Sequence, residues 1–274
     1  MDILLFKAAM GAYLISTFGY MSSLVMKKVS PARVSAWVLL TAFIVHALAF
    51  SFRSVRIGMN PVINLTEALS FLGLALVGTY LVLQWRGKVK TLGILIAPAA
   101  LLLMIGASLG YDGFSADMTI LPYLKGGLVT THVILSIMGE ALFAIAGCAG
   151  LVYLIQSEFL KQRKLTGFSR MLPSLGDLDR INHFCLLLGF PLLTLGFIAG
   201  SFWARVVWGS HWGWDPKQVW TLIVWLFYGI LLHQRLAIGW NGRKAAVWSI
   251  AATVVLSFML VGVNAFHVTS HRFG

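Results

Sequence analysis

The chain has 274 residues, of which 59% are hydrophobic and only 11% are charged. Soluble domains carry about a quarter charged residues, so this composition excludes an ordinary soluble enzyme and indicates a chain that lies mostly in lipid. The net charge of +12 does not indicate nucleic-acid binding, because the basic residues lie in short clusters between apolar runs. Cys148 and Cys185 lie in separate apolar runs and form no disulfide, CxxC or zinc pattern.

Eight apolar segments follow one another along the chain, and each is long enough to cross a bilayer. They lie at about 2–24, 33–52, 66–84, 91–110, 126–156, 182–204, 217–237 and 244–266. We therefore predict an all-α, polytopic integral membrane bundle of about eight transmembrane helices, with one domain over residues 1–274. The first segment begins with Met1-Asp2 and has no basic start, so we interpret it as a span and not as a signal peptide.

The basic residues are distributed unevenly between alternate loops. One set of loops and helix ends carries 14 of the 21 Lys and Arg residues, and the other set carries 7. Because basic loops stay on the cytoplasmic side, we predict that both termini lie on the outer side of the membrane. Residues 157–181, on the cytoplasmic side, are predicted to form a polar, solvated linker or a partner-docking loop.

Tryptophan is concentrated in one short stretch, predicted to lie on the outer side. The six residues are Trp203, Trp208, Trp212, Trp214, Trp220 and Trp225. An aromatic belt at the membrane interface is one interpretation, but a belt spreads its aromatic residues over several helix ends. The other interpretation is an aromatic platform for a large planar apolar ligand.

The residues around these tryptophans favour the platform. Gly209 and Gly213 allow the backbone to approach a flat ligand closely. Asp215-Pro216 predicts an N-cap followed by proline at the first helical position, which fixes where the seventh span begins. Arg205, Lys217 and the helix N-terminus are candidates to bind an anionic edge of the ligand.

The string WGSHWGWDPKQVWTLIVWLFYGILLH resembles the tryptophan-rich WWD signature of haem-handling membrane proteins. Its DPK variant resembles the CcsA (ResC-like) branch of cytochrome c biogenesis System II. Four further elements resemble that family in order: GMNPVINLTEAL at 58–69, THVILSIMGEAL at 131–142, LGFPLLTLGFIAGSFWA at 188–204 and GVNAFHVTSHRFG at 262–274. CcmC-type haem proteins share the loop but have fewer spans and lack DPK, so the chain resembles them less.

The resemblance implies the haem-presenting subunit of a cytochrome c synthase, with residues 203–225 as the WWD loop of a single transmembrane haem-handling domain. It would bind non-covalent, transient b-type haem and present it at the outer face for thioether attachment to the Cys-x-x-Cys-His of apocytochrome c. The implied partners are a ResB/CcsB-like membrane protein with an extracytoplasmic domain, apocytochrome c and thiol-reducing proteins. The implied location is the bacterial inner membrane. Two alternatives stay open: a haem exporter or chaperone without ligase chemistry, and a b-type electron-transfer cytochrome.

Histidines are the candidate iron ligands that the resemblance implies. His132 and His271 match the family's two external axial ligands, which flank the loop, and His233 matches a histidine within the membrane. His46 is the other deep histidine and a possible second intramembrane ligand; otherwise a partner residue supplies it. The remaining residues implied to contact haem belong to the loop: Trp208, Trp212, Trp214 and Asp215.

Other polar residues have simpler interpretations or alternative roles. His233 precedes Gln234-Arg235, so it could instead mark the cytoplasmic interface, and His267 could support or replace His271. We interpret His211 as sequence variation at a position where the family often has an aromatic residue, and His183 as structural. Glu140, inside the fifth span, is a buried carboxylate and a functional candidate without an assigned role. Arg53 and Arg56 are candidates to hold haem propionates, and Glu67 is expected to complement a helix N-terminus.

Overall fold

A computed structural model describes residues 2–26, 28–57, 65–86, 90–110, 126–163, 167 and 169–262. Within these ranges the chain forms eight helices that are long and apolar enough to cross a membrane, and no strand. They are α1 (Asp2–Met26), α2 (Val29–Ile57), α3 (Leu65–Arg86), α4 (Gly93–Ser108, after the 3-10 turn Lys90–Leu92), α5 (Gly127–Lys161), α6 (Leu175–Trp208), α7 (Pro216–Ala237) and α8 (Gly242–Ser257, followed by the π-helical turn Phe258–Gly262). The predicted all-α membrane bundle is confirmed.

The two longest helices extend well beyond the apolar segments that predict them. α5 has 35 residues and α6 has 34, which at about 1.5 Å per residue is roughly 50 Å, against about 30 Å of hydrocarbon. The predicted linker at 157–181 was wrong in extent, because both of its ends are helical. The start of α6 is fixed by Ser174, whose hydroxyl accepts a hydrogen bond from the backbone N–H of Asp177 at 3.1 Å.

The helices pack as two groups of four. In the first group α1 lies against α2 and α4, and α3 lies against α4; in the second, α5 runs along α6 and α8, and α7 contacts α6 and α8. The two groups meet mainly where α3 packs on α5. Large apolar side chains are exposed on all eight helices, as expected where lipid and not water surrounds the bundle.

Ion pairs that involve buried carboxylates tie the helix ends together. Arg53 near the end of α2 is only 2% exposed, and its Nη2 lies 2.8 Å from Oε1 of Glu67 in the first turn of α3. Arg56 lies 2.9 Å from Asp2 at the start of α1. Arg53 is therefore occupied by a carboxylate, which does not favour a role in holding propionates. Glu67 does lie at a helix start, as expected, and in addition pairs with Arg53.

A second cluster lies at the opposite end of the helices. The guanidinium of Arg235 in α7 contacts both carboxylate oxygens of Asp179 in α6, at 3.1 and 3.0 Å. It also donates to Nδ1 of His183 at 3.2 Å and to Oδ1 of Asn182 at 3.0 Å, while Asp179 accepts the backbone N–H of Gly242. The structural interpretation of His183 agrees with this arrangement, in which one arginine joins α6, α7 and the start of α8.

Candidate functional site

The tryptophan loop is short and has fixed ends. α6 ends at Trp208, and Gly209 follows with φ +75°, the left-handed conformation that terminates helices and that glycine adopts without strain. α7 begins after Asp215, whose carboxylate accepts the backbone N–H of Lys217 at 2.9 Å, with Pro216 at the first helical position. The predicted N-cap is confirmed. Only residues 209–215 of the WWD loop are not helical.

The aromatic rings of the loop do not form one flat surface. Trp212 and Trp214 are 5.6 Å apart and nearly perpendicular, at 89°, and Trp203 and Trp208 meet at 76°. Trp203 is buried, and Trp225 packs on Phe190 inside the bundle. The rings are therefore arranged edge to face, a stable geometry for aromatic pairs, and a planar ligand would meet individual ring faces.

Trp214 is the most exposed ring of this loop, with 76% of its surface accessible. Its backbone has φ +52°, a left-handed conformation that costs a bulky residue about 1–2 kcal/mol. The strained backbone does not lead to burial of the ring, since most of the Trp214 side chain remains exposed. Strain of this kind is often found where a side chain has to be presented to a ligand.

His211 fastens the loop to the last turns of α6. Its Nδ1 lies 3.2 Å from the carbonyl oxygen of Ser201, its Nε2 lies 3.3 Å from Arg205, and its ring meets Phe202 edge to face. Both ring nitrogens therefore have partners in the protein. The sequence interpretation of His211 as a non-ligand agrees with these contacts, but sequence reasoning missed its role as an anchor of the loop.

His132, in the second turn of α5, has the geometry of a metal-ligating histidine. Its Nδ1 lies 2.7 Å from the carbonyl oxygen of Gly196 in α6. A carbonyl only accepts hydrogen bonds, so Nδ1 carries the proton and the lone pair is on Nε2. Within the described residues no hydrogen bond engages Nε2. An imidazole oriented by a backbone carbonyl in this way is what iron and zinc sites commonly use.

Two glycines of α6 make room for this histidine. A Cβ on Gly200 would lie 2.6 Å from Cε1 and Nδ1 of His132, and a Cβ on Gly196 would overlap Ser136. The same stretch of α6 contacts the loop, because the rings of Phe197 and Trp212 are 6.1 Å apart. One face of α6 therefore brings His132 of α5 and the tryptophan loop to the same end of the second bundle. Spacing alone does not single out these two glycines among the others of the spans.

The deeper histidines lie in different surroundings. His46 is fully buried in the first bundle, with Nδ1 3.2 Å from the hydroxyl of Tyr13 and Nε2 2.9 Å from the hydroxyl of Ser70. Coordination of a metal by His46 would require one of these hydrogen bonds to break. His233 lies near the end of α7 in the second bundle and is exposed. His271 and His267 lie outside the described residues.

Glu140 lies eight residues beyond His132 on α5. It is only 7% exposed, although it lies in the membrane-spanning part of the helix. Lys217, the lysine predicted to hold an external anion, lies in the first turn of α7 and is half-buried, and its backbone N–H donates to the carboxylate of Asp215.

The fold defines a polytopic helical membrane protein, and its candidate site is the end where an oriented histidine lies beside an anchored tryptophan loop. The family model described as cytochrome C assembly protein matches residues 62–271, a range that includes His132, the loop and six of the eight spans. The chain belongs to this family.

Relatives of the chain include cytochrome c biogenesis proteins. The chain is 30% identical over 267 residues to the cytochrome c biogenesis protein CcsA of Microcystis aeruginosa, with 81% of each chain covered. It is 33% identical to CcsA of Chlamydomonas reinhardtii, covering 79% of this chain and 62% of that one. CcsA of Porphyra purpurea is 28% identical, with 97% and 95% covered.

A solved structure shares the fold. The cytochrome c haem lyase CcmF superposes with a TM-score of 0.60 at 13% identity, covering 98% of this chain and 50% of that chain. The chain thus spans half the length of that structure. At this level of identity the likeness concerns the fold alone.

Proposed function

We propose that this protein is the haem-presenting subunit of a cytochrome c synthase. The observation that carries the proposal is the orientation of His132, whose Nδ1–H is held by the carbonyl of Gly196 so that Nε2 remains available as an iron ligand. Membership of the cytochrome c assembly family supports it. Haem is the substrate in this proposal, and its vinyl groups are what the thiols of a Cys-x-x-Cys-His segment attack to form thioethers.

The described residues at the end of the second bundle that carries the loop would then bind and orient the haem. His132 would hold the iron together with His271, as the resemblance implies, and Trp208, Trp212 and Trp214 would contact the macrocycle. Asp215 fixes the start of α7 and so the position of the loop, and the exposed Arg205 is the cation available to a propionate. The protein contributes mainly proximity and orientation, because it holds one reactant in place for the other.

For the intramembrane site we propose that His233 binds haem together with a residue of the partner subunit. His233 is exposed on the second bundle, whereas both ring nitrogens of His46 are hydrogen-bonded inside the first. An imidazole in a membrane span costs free energy unless it has a partner. His233→Ala should therefore lower the haem content of the purified protein, whereas His46→Gln, which can keep polar contacts with Tyr13 and Ser70, should not. Full haem content in His233→Ala would make that residue an interfacial histidine.

A b-type electron-transfer cytochrome is less well supported. Such proteins commonly place two ligand histidines on one helix, separated by about 13–14 residues. Among the described helices, α2, α5, α6 and α7 carry one histidine each and the others carry none. The proposed partners are a ResB/CcsB-like membrane protein, apocytochrome c and thiol-reducing proteins, and the proposed location is the bacterial inner membrane with both termini outside.

Imidazole rescue tests the axial-ligand assignment. The protein is co-expressed with its membrane partner and a reporter apocytochrome in a host that lacks its own maturation genes, and covalent haem is stained after electrophoresis. His132→Gly and His271→Gly each leave an opening of imidazole size, so added imidazole should restore part of the cytochrome c yield. If it rescues neither variant while both remain inserted and folded, these residues are not iron ligands.

The loop provides the matched control. His211→Gly removes an imidazole from the same end of the bundle, but this ring joins the loop to α6 through Ser201, Arg205 and Phe202. Free imidazole cannot restore a tether, so the yield should stay low. Trp214→Ala should also lower the cytochrome c yield, and added imidazole should not restore it, because imidazole supplies none of the lost ring surface.

A further inference from the structure

A glutamine fastens the second half of the tryptophan loop to α7. Gln218, in the first turn of α7, accepts the backbone N–H of Gly213 through its side-chain Oε1 at 2.9 Å. In the common capping arrangement, the side chain at this position reaches back to the N–H of the N-cap residue, which here is Asp215. Gln218 reaches two residues further, so its hydrogen bond spans Trp214 as well as the cap.

This hydrogen bond restrains the backbone of Trp214. The residue has φ +52°, and relaxation to the common region near −60° would rotate the chain about its N–Cα bond by roughly 110°. Gly213 lies on one side of that bond and Gln218 on the other, so the rotation would separate donor from acceptor. One neutral hydrogen bond stabilises by about as much as a left-handed residue costs, so this bond is strong enough to maintain the conformation.

Burial does little to orient the ring of Trp214, because 76% of its surface is exposed. The ring meets Trp212 edge to face, with centroids 5.6 Å apart. His211 ties the first half of the loop to α6, but that anchor lies three residues before Trp214. The direction of the exposed indole therefore depends on its own backbone, which the bond from Gly213 to Gln218 restrains.

We propose that Gln218 is a positioning residue for haem: it keeps Trp214 in the left-handed conformation and so presents the indole to the macrocycle. This role rests on the proposed function, in which Trp214 contacts haem. A ring that is held in place before the ligand arrives lowers the ordering cost of binding. The competing explanation is that the bond only stabilises the start of α7, and the two roles differ in whether they need the indole.

Haem titration of the purified protein, followed by absorbance, tests the proposal. Gln218→Leu removes the acceptor at similar size, and the haem Kd should rise about fivefold, as the loss of one neutral hydrogen bond implies. Gln218→Glu keeps an acceptor oxygen at the same reach and should bind haem nearly as well as the unmodified protein. Thr221→Val is the matched control: it removes a hydroxyl that donates to the carbonyl of Lys217 at 2.8 Å within α7, and the Kd should not change.

A Trp214→Ala background separates positioning from stabilisation. With no indole left to orient, Gln218→Leu should raise the haem Kd only slightly further, so the two substitutions are non-additive. An equal fold-increase in both backgrounds, an unchanged Kd for Gln218→Leu, or binding by Gln218→Glu as weak as by Gln218→Leu would overturn the proposal. If the unmodified protein bound no haem, the proposed function itself would be contradicted.

Discussion

Gly200→Ala should weaken haem binding through the position of one ring. The added Cβ would lie 2.6 Å from Cε1 and Nδ1 of His132, whereas ordinary contact begins at 3.4 Å. The ring therefore has to move by the difference, 3.4 minus 2.6, or 0.8 Å. The bond from Nδ1 to the carbonyl oxygen of Gly196 is 2.7 Å long, and a movement of this size stretches it towards 3.5 Å, where a hydrogen bond is effectively lost.

The penalty of Gly200→Ala should lower haem affinity, because only the haem-bound protein needs the imidazole of His132 in this position. In the free protein the imidazole can turn away from the new methyl group, and haem binding has to bring it back. Loss of a hydrogen bond costs about 0.5–1.5 kcal/mol, and overpacking costs about 1–3 kcal/mol. A combined penalty of roughly 2 kcal/mol corresponds to a haem Kd that is about 30-fold higher, since about 1.4 kcal/mol is a factor of ten.

Haem titration of the purified protein, followed by absorbance, measures this change. Gly127→Ala on α5 is the matched control, because a Cβ there meets nothing within 4 Å. The increase in the haem Kd should also depend on the ring of His132. In a His132→Gly background with added imidazole, Gly200→Ala should raise the haem Kd only slightly, so the effects of the two substitutions are non-additive. An unchanged Kd for Gly200→Ala, or an equal loss in both backgrounds, would refute this role of the ring.

Two further predictions concern stability and orientation. Arg235→Lys should lower the free energy of unfolding by roughly 2 kcal/mol, because lysine cannot make the paired contact with Asp179. Thermal unfolding in detergent measures this loss. Equal destabilisation by Arg243→Lys, a substitution at an exposed position, would contradict the prediction. Ser210→Cys should react with an impermeant thiol reagent in intact cells and Arg170→Cys only after lysis, and the reverse pattern would invert the predicted topology.

The helices could be predicted from the sequence because a bilayer imposes its own pattern. A span needs about 20 apolar residues, so eight such segments predict eight helices before any packing is known. The start of α7 was equally predictable, because Asp215-Pro216 satisfies a local requirement of the helix N-terminus. The linker at 157–181 was predicted too long, because its helical ends are polar and project beyond the lipid.

The concentration of tryptophan in one loop could also be read from the sequence, but not its arrangement. Nothing in the spacing indicates that Trp212 and Trp214 meet edge to face or that Trp214 adopts a left-handed backbone. His211 looks like a loop histidine in the sequence, and only its contacts with α6 show that it anchors the loop.

Contacts between distant segments are what the tertiary structure alone decided. The sequence identifies His132 as a candidate ligand, but the carbonyl of Gly196 that selects its Nε2 and the gap at Gly200 that admits its ring belong to another helix. Likewise, Phe143 and Tyr228 are 85 residues apart, and their rings stack at 3.5 Å because α5 and α7 share one bundle. Lipid determines which segments become helices, since every backbone polar group must be satisfied within a span. Which side chains meet depends on small residues that let helix backbones approach, and these have no periodic signal of their own.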